Sequence, residues 1–223
     1  MKKYELFSTY AGKLIVINVI AFFAFMIFVG IVGGEKAISW VALMPAAIFS
    51  GKSVWTFITS MFMHGSFTHL LVNMISLSFI GSFVEKLIGK KRFLRVYLIG
   101  GLFAGLLFVT LAGLFGNTLL GERIVGSPFA YAVGASGAIF ALGGLLAVLT
   151  PKLPVMVFFI IPMPMWIAMA VLMFGLWAVS LGAGLGIGNT AHLGGLIIGL
   201  GYGFYLKKKY PHKTKMISRY FTK

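Results

Sequence analysis

Long apolar stretches alternate with short polar segments along this 223-residue chain. A helix that crosses a bilayer needs about 20 mostly apolar residues, and windows of that size predict six spanning helices. These are Leu14–Val32, Phe67–Val84, Phe93–Leu114, Ser136–Leu149, Met165–Gly182 and Thr190–Leu206. The pattern therefore predicts an all-α polytopic membrane protein, with one six-helix domain over residues 14–206.

Two segments between the spans are expected to lie at the membrane surface. Pro162 and Pro164 interrupt the apolar run before the fifth span, so we interpret Val155–Ile161 as an interfacial lead-in and start the helix near Met165. The first loop, residues 33–65, is expected to lie as short amphipathic pieces in the outer leaflet.

Composition agrees with a membrane protein and narrows the chemistry. Hydrophobic residues make up 60% of the chain and charged residues only 10%, far from the balance of a soluble domain. The chain has no Cys and no Asp, which excludes disulfides, thiolate nucleophiles, Cys-ligated metals and a Ser-His-Asp triad. The HExxH pattern of zinc proteases is also absent. We therefore expect no metal and no cofactor.

The formal net charge of +15 is better explained by topology than by nucleic acid. Of the 19 Lys and Arg residues, only Lys36, Lys52 and Arg123 fall on the first, third and fifth loops. The others fall on the two termini and the remaining loops, and basic residues accumulate on cytoplasmic segments. This asymmetry predicts a cytoplasmic N-terminus (1–13) and a basic cytoplasmic tail (207–223). We expect the tail to contact anionic membrane lipid, and we expect no nucleic-acid partner.

Four polar residues share the predicted outer ends of three spans. His69 and Asn73 lie in the first turns of the second span, Ser136 begins the fourth and His192 lies at the start of the sixth. Strongly polar side chains are costly in hydrocarbon, so each of the four is a candidate for a functional site.

The fourth span is too short to cross the bilayer by itself. About 15 residues separate Ser136 from Pro151, or about 22 Å, whereas the hydrocarbon layer is about 30 Å thick. The preceding segment, Gly126–Ala135, is therefore expected to descend as non-helical backbone and to line an outward-facing wet pocket. Ser136 would lie at the bottom of that pocket.

The residue types at this depth suit nucleophilic chemistry. At a helix start, Ser136 lies beside backbone N–H groups that can stabilise an oxyanion, and His192 can remove its proton. Gly195 and Gly199 share a face with His192, and such small residues let two membrane helices approach closely. The alternative interpretation is an N-cap serine and a structural histidine.

His69 and Asn73 are four residues apart and share one helical face. The imidazole and the side-chain amide both supply the donors that an oxyanion needs. An ordinary interhelical hydrogen bond is the alternative interpretation for this pair.

Three motifs carry a family resemblance. They are the stretch Trp55–Glu85 with its H-x-x-x-N pattern, the segment VGASGAIFAL and the segment AHLGGLIIGLGYG. In this order they resemble the H-x-x-x-N helix, the G-x-S-G nucleophile segment and the A-H-x-x-G helix of rhomboid intramembrane serine proteases. Order, spacing and hydropathy agree over about residues 14–206, which implies a rhomboid-like bundle of the prokaryotic six-helix type.

The resemblance implies a serine endopeptidase of the cell membrane. It would cut peptide bonds in or near transmembrane segments of other membrane proteins, with an active site open to the extracytoplasmic side. Ser136 would be the nucleophile and His192 the general base. Asn73, His69 and the backbone N–H of Ser136 would hold the oxyanion.

Other positions match supporting features of the family. Gly134 would give the backbone room beside the nucleophile, and Gly137, Gly195 and Gly199 would support the close packing around the site. Phe140 matches an aromatic that packs against the catalytic imidazole, although plain core packing is the alternative.

Further positions are interpreted as structural or depart from the family. His64 resembles a pre-helix histidine and Glu85 a glutamate near the inner helix end. Trp40 is followed by Val41, where many members carry a Trp-Arg pair in the first loop.

Two alternatives to a protease stay open. One is a catalytically silent rhomboid-like protein that binds membrane helices, and the other is a small transporter, for which polar groups at the membrane midplane would be expected.

Within the protease hypothesis, the fifth span would form a lateral gate beside the second span, through the side chains of Met165, Trp166, Phe174 and Trp177. Its substrates would be transmembrane proteins.

Overall fold

The computed structural model describes residues 8–157, 160–183 and 188–221. In chain order its helices are α1 (Tyr10–Val32), α2 (Gly34–Val41), α3 (Pro45–Phe49), α4 (Thr56–Thr59), α5 (Phe67–Ile88), α6 (Lys90–Phe115), α7 (Leu119–Val125), α8 (Ser136–Leu149), α9 (Met165–Ala183), α10 (Asn189–Lys209) and α11 (Pro211–Tyr220). The 3-10 turn Ser60–Phe62 continues α4, and the strands β1 (Pro154–Val157) and β2 (Ile161–Pro164) form a hairpin. Residues 1–7 and 222–223 of the predicted termini, and residues 158–159 of the predicted lead-in, lie outside the described residues.

Each predicted span forms a helix, and the observed ends extend a few residues into polar sequence. Helix α1 begins at Tyr10 because the Thr9 Oγ1 caps it, accepting a hydrogen bond from the Gly12 N–H at 3.1 Å. Helix α6 begins at Lys90 and α10 continues to Lys209, since backbone hydrogen bonding does not stop where hydropathy falls.

Membrane crossing is best supported for four helices. Among the described residues, α1, α5, α6 and α9 are long and apolar enough to cross a bilayer. Helix α8 has only 14 residues, and α10 begins with the polar residues Asn189, Thr190 and His192. The chain is therefore a multi-pass membrane protein, and its six-helix count with two cytoplasmic termini stays a prediction.

The chain is mostly helical, as predicted, with one exception in the described residues. The segment before α9 forms an antiparallel hairpin in which Pro154 pairs with Pro164 and Val157 with Ile161. A proline has no N–H to donate, so it disrupts the interior of a helix. Both strands of a two-stranded hairpin are edge strands, where a proline is tolerated at positions whose N–H would not be bonded to the other strand. The start of α9 at Met165 agrees with the prediction.

Helix α8 lies at the centre of the molecule, and 12 of its 14 residues are buried. It packs on α10 through glycines, because a Cβ added at Gly195 would overlap the Gly137 carbonyl oxygen and one at Gly199 would overlap that of Ala141. On the other side, a Cβ at Gly100 of α6 would overlap the Ala141 side chain. Small residues thus let three helix backbones approach closely and bring the starts of α8 and α10 together.

Two loops pack against each other beside the start of α8. Residues 126–135 contain no helix, as predicted, and Leu43 and Ala132 exchange backbone hydrogen bonds of 3.0 and 2.8 Å. The Gly134 N–H also donates to the Ser60 carbonyl at 2.8 Å. These bonds satisfy part of the irregular backbone before Ser136, as non-helical chain within a membrane protein requires.

Glu85, near the end of α5, has a structural role. Its carboxylate accepts hydrogen bonds from the Tyr10 N–H at 3.0 Å and the Ala11 N–H at 2.8 Å. A carboxylate at a helix N-terminus satisfies open donors and complements the helix dipole. Glu85 therefore ties the first turn of α1 to the end of α5, far from the start of α8.

Candidate active site

The nucleophile candidate and the base candidate are in contact. Ser136 is the first residue of α8, and its Oγ lies 2.8 Å from the Nε2 of His192 in the first turn of α10. His192 is buried, and in the part of the chain that the structure describes no hydrogen-bond partner reaches its Nδ1. The pair is thus a serine–imidazole dyad in which no third side chain orients the ring through a hydrogen bond.

An aromatic contact orients the imidazole instead. Phe140 lies one turn after Ser136, and its ring stacks on His192 with the centroids 4.4 Å apart and the planes 10° apart. Phe140 is itself buried, so this ring forms a fixed wall for the imidazole. The contact is the one implied for Phe140 by the family resemblance.

His69 and Asn73 line the same cavity as the dyad. The Asn73 Nδ2 donates to the His69 carbonyl at 2.9 Å, which holds the amide in place and leaves its second N–H available. The Ser66 Oγ accepts from the His69 N–H at 3.1 Å and so begins α5 at this level. Helix α8 contributes further donors, because its first N–H groups have no intrahelical partner and no side chain caps them.

Gly134 lies where a larger residue would not fit. Its φ of +130° is unfavourable for other residues, and an added Cβ would lie 2.9 Å from the His69 Cε1 and 3.0 Å from the His69 Nε2. Gly134 therefore lets the chain pass between the His69 ring and Ser136. A space for a reacting group remains beside the nucleophile.

The cavity around these residues has a volume of about 850 Å³. Its lining also includes residues that were not predicted to line it, among them Glu122 and Arg123 of α7 and Leu176 and Ser180 of α9. The sequence position of α7 could have indicated its place in the lining, because this helix directly precedes the segment predicted to line the pocket. For α9, hydropathy marks the helix and gives no indication of which face meets the cavity.

The side chains suggested for a lateral gate do not share one surface. Met165 is buried, whereas Trp166 and Phe174 are exposed by 54% and 71%. The Trp177 Nε1 donates to the Ile124 carbonyl at 2.9 Å, which joins α9 to α7. Leu176 and Ser180 are the residues through which α9 reaches the cavity.

His64 lies behind His69 and outside the cavity lining. It is only 2% exposed, and the two imidazole rings meet edge to face with centroids 5.1 Å apart. Burial, and to a smaller extent the charge of His69, lowers the pKa of His64 to about 4. A neutral ring that packs on His69 agrees with the structural interpretation of His64.

Comparison with known proteins identifies the family. The rhomboid domain family matches residues 51–209. The chain is 32% identical to RHOMBOID-like protein 4 of Arabidopsis thaliana over 168 residues, which are 74% of this chain and 37% of that protein. It is 41% identical to the putative rhomboid protease YdcA of Bacillus subtilis (strain 168) over 91 residues, 40% of this chain and 38% of that protein. It is 25% identical to the rhomboid protease GlpG of Salmonella typhi over 198 residues, 87% of this chain and 63% of that protein.

This chain belongs to the rhomboid family, since the family domain covers more than half of it. The matched regions span less than two thirds of the length of these relatives. Family membership identifies a multi-pass membrane protein related to intramembrane proteases.

Proposed function

We propose that this protein is an intramembrane serine endopeptidase that cleaves peptide bonds in or near transmembrane segments of other membrane proteins. The observation that carries the proposal is the 2.8 Å contact between the Ser136 Oγ and the His192 Nε2, inside a cavity that His69 and Asn73 also line. A partly buried serine–imidazole contact beside convergent N–H donors is the arrangement needed for acyl transfer.

The first half of the reaction forms an acyl-enzyme. Ser136 Oγ attacks the substrate carbonyl carbon as His192 Nε2 takes the hydroxyl proton. The Asn73 amide, the His69 ring and the N–H groups at the start of α8 donate to the resulting oxyanion. The C–N bond then breaks, and the leaving amine takes the proton from His192.

The second half releases the acyl group. His192 removes a proton from water, the hydroxide attacks the ester carbonyl, and Ser136 regains its proton when the ester bond breaks. Since no described residue forms a hydrogen bond with the His192 Nδ1, the stacked Phe140 ring takes over the positioning of the imidazole.

A transmembrane helix hides its carbonyl groups in hydrogen bonds, so the substrate must unwind locally before Ser136 can attack it. We propose that it approaches past α9, whose Leu176 and Ser180 reach the cavity. The proposal includes the six spans that the apolar windows predict and the cell-membrane location that the family resemblance implies. It also includes two cytoplasmic termini and a cavity that opens on the extracytoplasmic side, which follow from the distribution of basic residues.

The direct experiment uses purified protein in liposomes with a single-span model substrate that carries a fluorophore at each end. We expect cleavage by the wild type and none by Ser136→Ala or His192→Ala. A photo-crosslinker in the substrate span distinguishes the alternatives. Crosslinking without cleavage in the wild type would support a silent helix-binding protein, and neither crosslinking nor cleavage would contradict the proposal altogether.

A further inference from the structure

Two cations and two tyrosines form a cluster at the ends of α6 and α10 opposite the candidate active site. The Arg92 guanidinium lies over the Tyr210 ring, with Cζ 5.1 Å from the centroid, and its Nη2 donates to the Tyr210 hydroxyl at 3.0 Å. The Lys209 Nζ lies 5.8 Å from the centroid of the same ring and donates to the Tyr205 hydroxyl at 2.8 Å. One aromatic ring thus holds two positive side chains beside each other.

Neither cation has a carboxylate partner among the residues that the structure describes. Glu85 uses its carboxylate on the Tyr10 and Ala11 N–H groups, and Glu122 lines the cavity around the dyad. Glu35 lies in the first turn of α2, directly after the opposite end of α1. From residue 123 to the C-terminus the sequence contains no acidic residue at all. Within the described residues the cluster is therefore a concentration of positive charge without a carboxylate counter-charge.

The hydrogen bonds inside the cluster leave most of its donors unused. A guanidinium has five N–H donors and an ammonium three, and each is bound here to one tyrosine hydroxyl. Arg92 is half-buried whereas Lys209 and Tyr205 are exposed, so the unused donors face an accessible surface. The two tyrosine rings limit the movement of both cations, because each forms cation–π contacts as well as a hydrogen bond.

The position of the cluster fits the boundary between hydrocarbon and water. The apolar stretches of α6 and α10 end at this level, and tyrosine is enriched at such boundaries. Exposed apolar side chains on the same two helices, Ile99 and Phe204, offer surface to acyl chains. The distribution of basic residues predicts that this end faces the cytoplasm, where anionic lipids attract Lys and Arg.

We propose that Arg92, Lys209, Tyr205 and Tyr210 form a binding site for the phosphate group of an anionic membrane lipid. The two cations favour an anionic ligand. The exposed apolar surface of the neighbouring helices favours a lipid over a soluble phosphate, because it can contact acyl chains. The site lies at the other end of the molecule from the dyad, and the proposal does not depend on protease activity.

The test is lipid retention by purified full-length protein in detergent, measured by native mass spectrometry. Phosphatidylglycerol and phosphatidylcholine with identical acyl chains are titrated separately. We expect preferential retention of phosphatidylglycerol by the wild type, and a loss of about fivefold for each charge removed in Arg92→Gln and Lys209→Gln. The double variant Lys213→Gln/Lys215→Gln is the matched control. It removes two charges from α11 at the same end, and its loss of lipid should be clearly smaller than that of Arg92→Gln or Lys209→Gln.

Three results would overturn the proposal. They are equal retention of the two lipids, an equal loss in the α11 control, and displacement of the lipid by millimolar inorganic phosphate, which would assign the cluster to a soluble anion. If Arg92→Gln does not fold, a photoactivatable phosphatidylglycerol is used on the wild type. It must crosslink to the ends of α6 and α10 that carry the cluster, and crosslinks that avoid both ends contradict the site.

Discussion

The rings of Phe140 and His192 lie almost parallel, 4.4 Å apart, although 52 positions separate them in sequence. In a dyad that lacks a carboxylate, this stack is the contact that fixes the plane of the imidazole while its Nε2 faces the Ser136 Oγ. We therefore propose that Phe140 is a positioning residue that acts through His192.

Replacement of Phe140 by leucine should slow cleavage without weakening substrate binding. An aromatic pair is worth about 0.5–1.5 kcal/mol, so kcat should fall about 2- to 12-fold while KM changes little. Phe140→Tyr keeps a ring at this position and should restore kcat. A change confined to KM, or no rescue by tyrosine, would contradict the positioning role.

The glycines of α10 allow a matched test of the contact that brings the dyad together. A Cβ at Gly195 would overlap the Gly137 carbonyl oxygen, whereas Gly201 on the same helix has nothing within 4 Å of an added Cβ. Gly195→Ala should destabilise the protein by about 1–3 kcal/mol and reduce cleavage, and Gly201→Ala should do neither. Thermal unfolding in detergent and the cleavage rate check both variants. Equal behaviour of the two would show that close packing of α8 on α10 does not maintain the site.

Removal of the Asn73 amide tests its proposed role as an oxyanion donor. The loss of one such donor lowers kcat by a factor of about 10²–10³. The kcat of Asn73→Ala should therefore fall by about this factor, with little change in KM. The unfolding temperature of the variant serves as the control, because Asn73 is buried and also bonds to the His69 carbonyl. A folded variant with near wild-type kcat would remove Asn73 from the mechanism.

Hydropathy and helix-start chemistry are sufficient to locate the helices of the six predicted spans and the four polar residues of the candidate site. Each of these signals is local. A span is recognised from its own apolar residues, and Ser136 is recognised because the span that it begins is too short to cross the bilayer. The hairpin before α9 and the Arg92–Tyr210 contact could not be predicted in this way. The hairpin was missed because its prolines were interpreted as an interruption before the helix. The Arg92–Tyr210 contact depends on the tertiary structure, since the two residues are 118 positions apart. The face of α9 that meets the cavity was also missed, since a helix that is apolar on all sides gives no periodic signal.

His64 should make the stability of the protein depend on pH. Its pKa is about 4 in the folded protein and 6.5 in an unfolded chain, so the unfolded state binds more protons between these values. The free energy of unfolding is therefore highest above about pH 6.5 and falls progressively as the pH falls toward 4. We expect the unfolding temperature of the wild type to fall more steeply between pH 7 and pH 5 than that of His64→Leu. Parallel pH profiles for the two proteins would contradict a buried neutral His64.

Covalent capture of Ser136 by a fluorophosphonate is the most direct measurement of the central claim, which is that the Ser136–His192 contact is a working dyad. The reagent phosphonylates a serine only where a base activates the hydroxyl. Peptide mass spectrometry of the wild type should show the adduct on Ser136, and His192→Ala should show almost none while it remains folded. An unlabelled Ser136 in the wild type, or equal labelling in folded His192→Ala, would contradict the account.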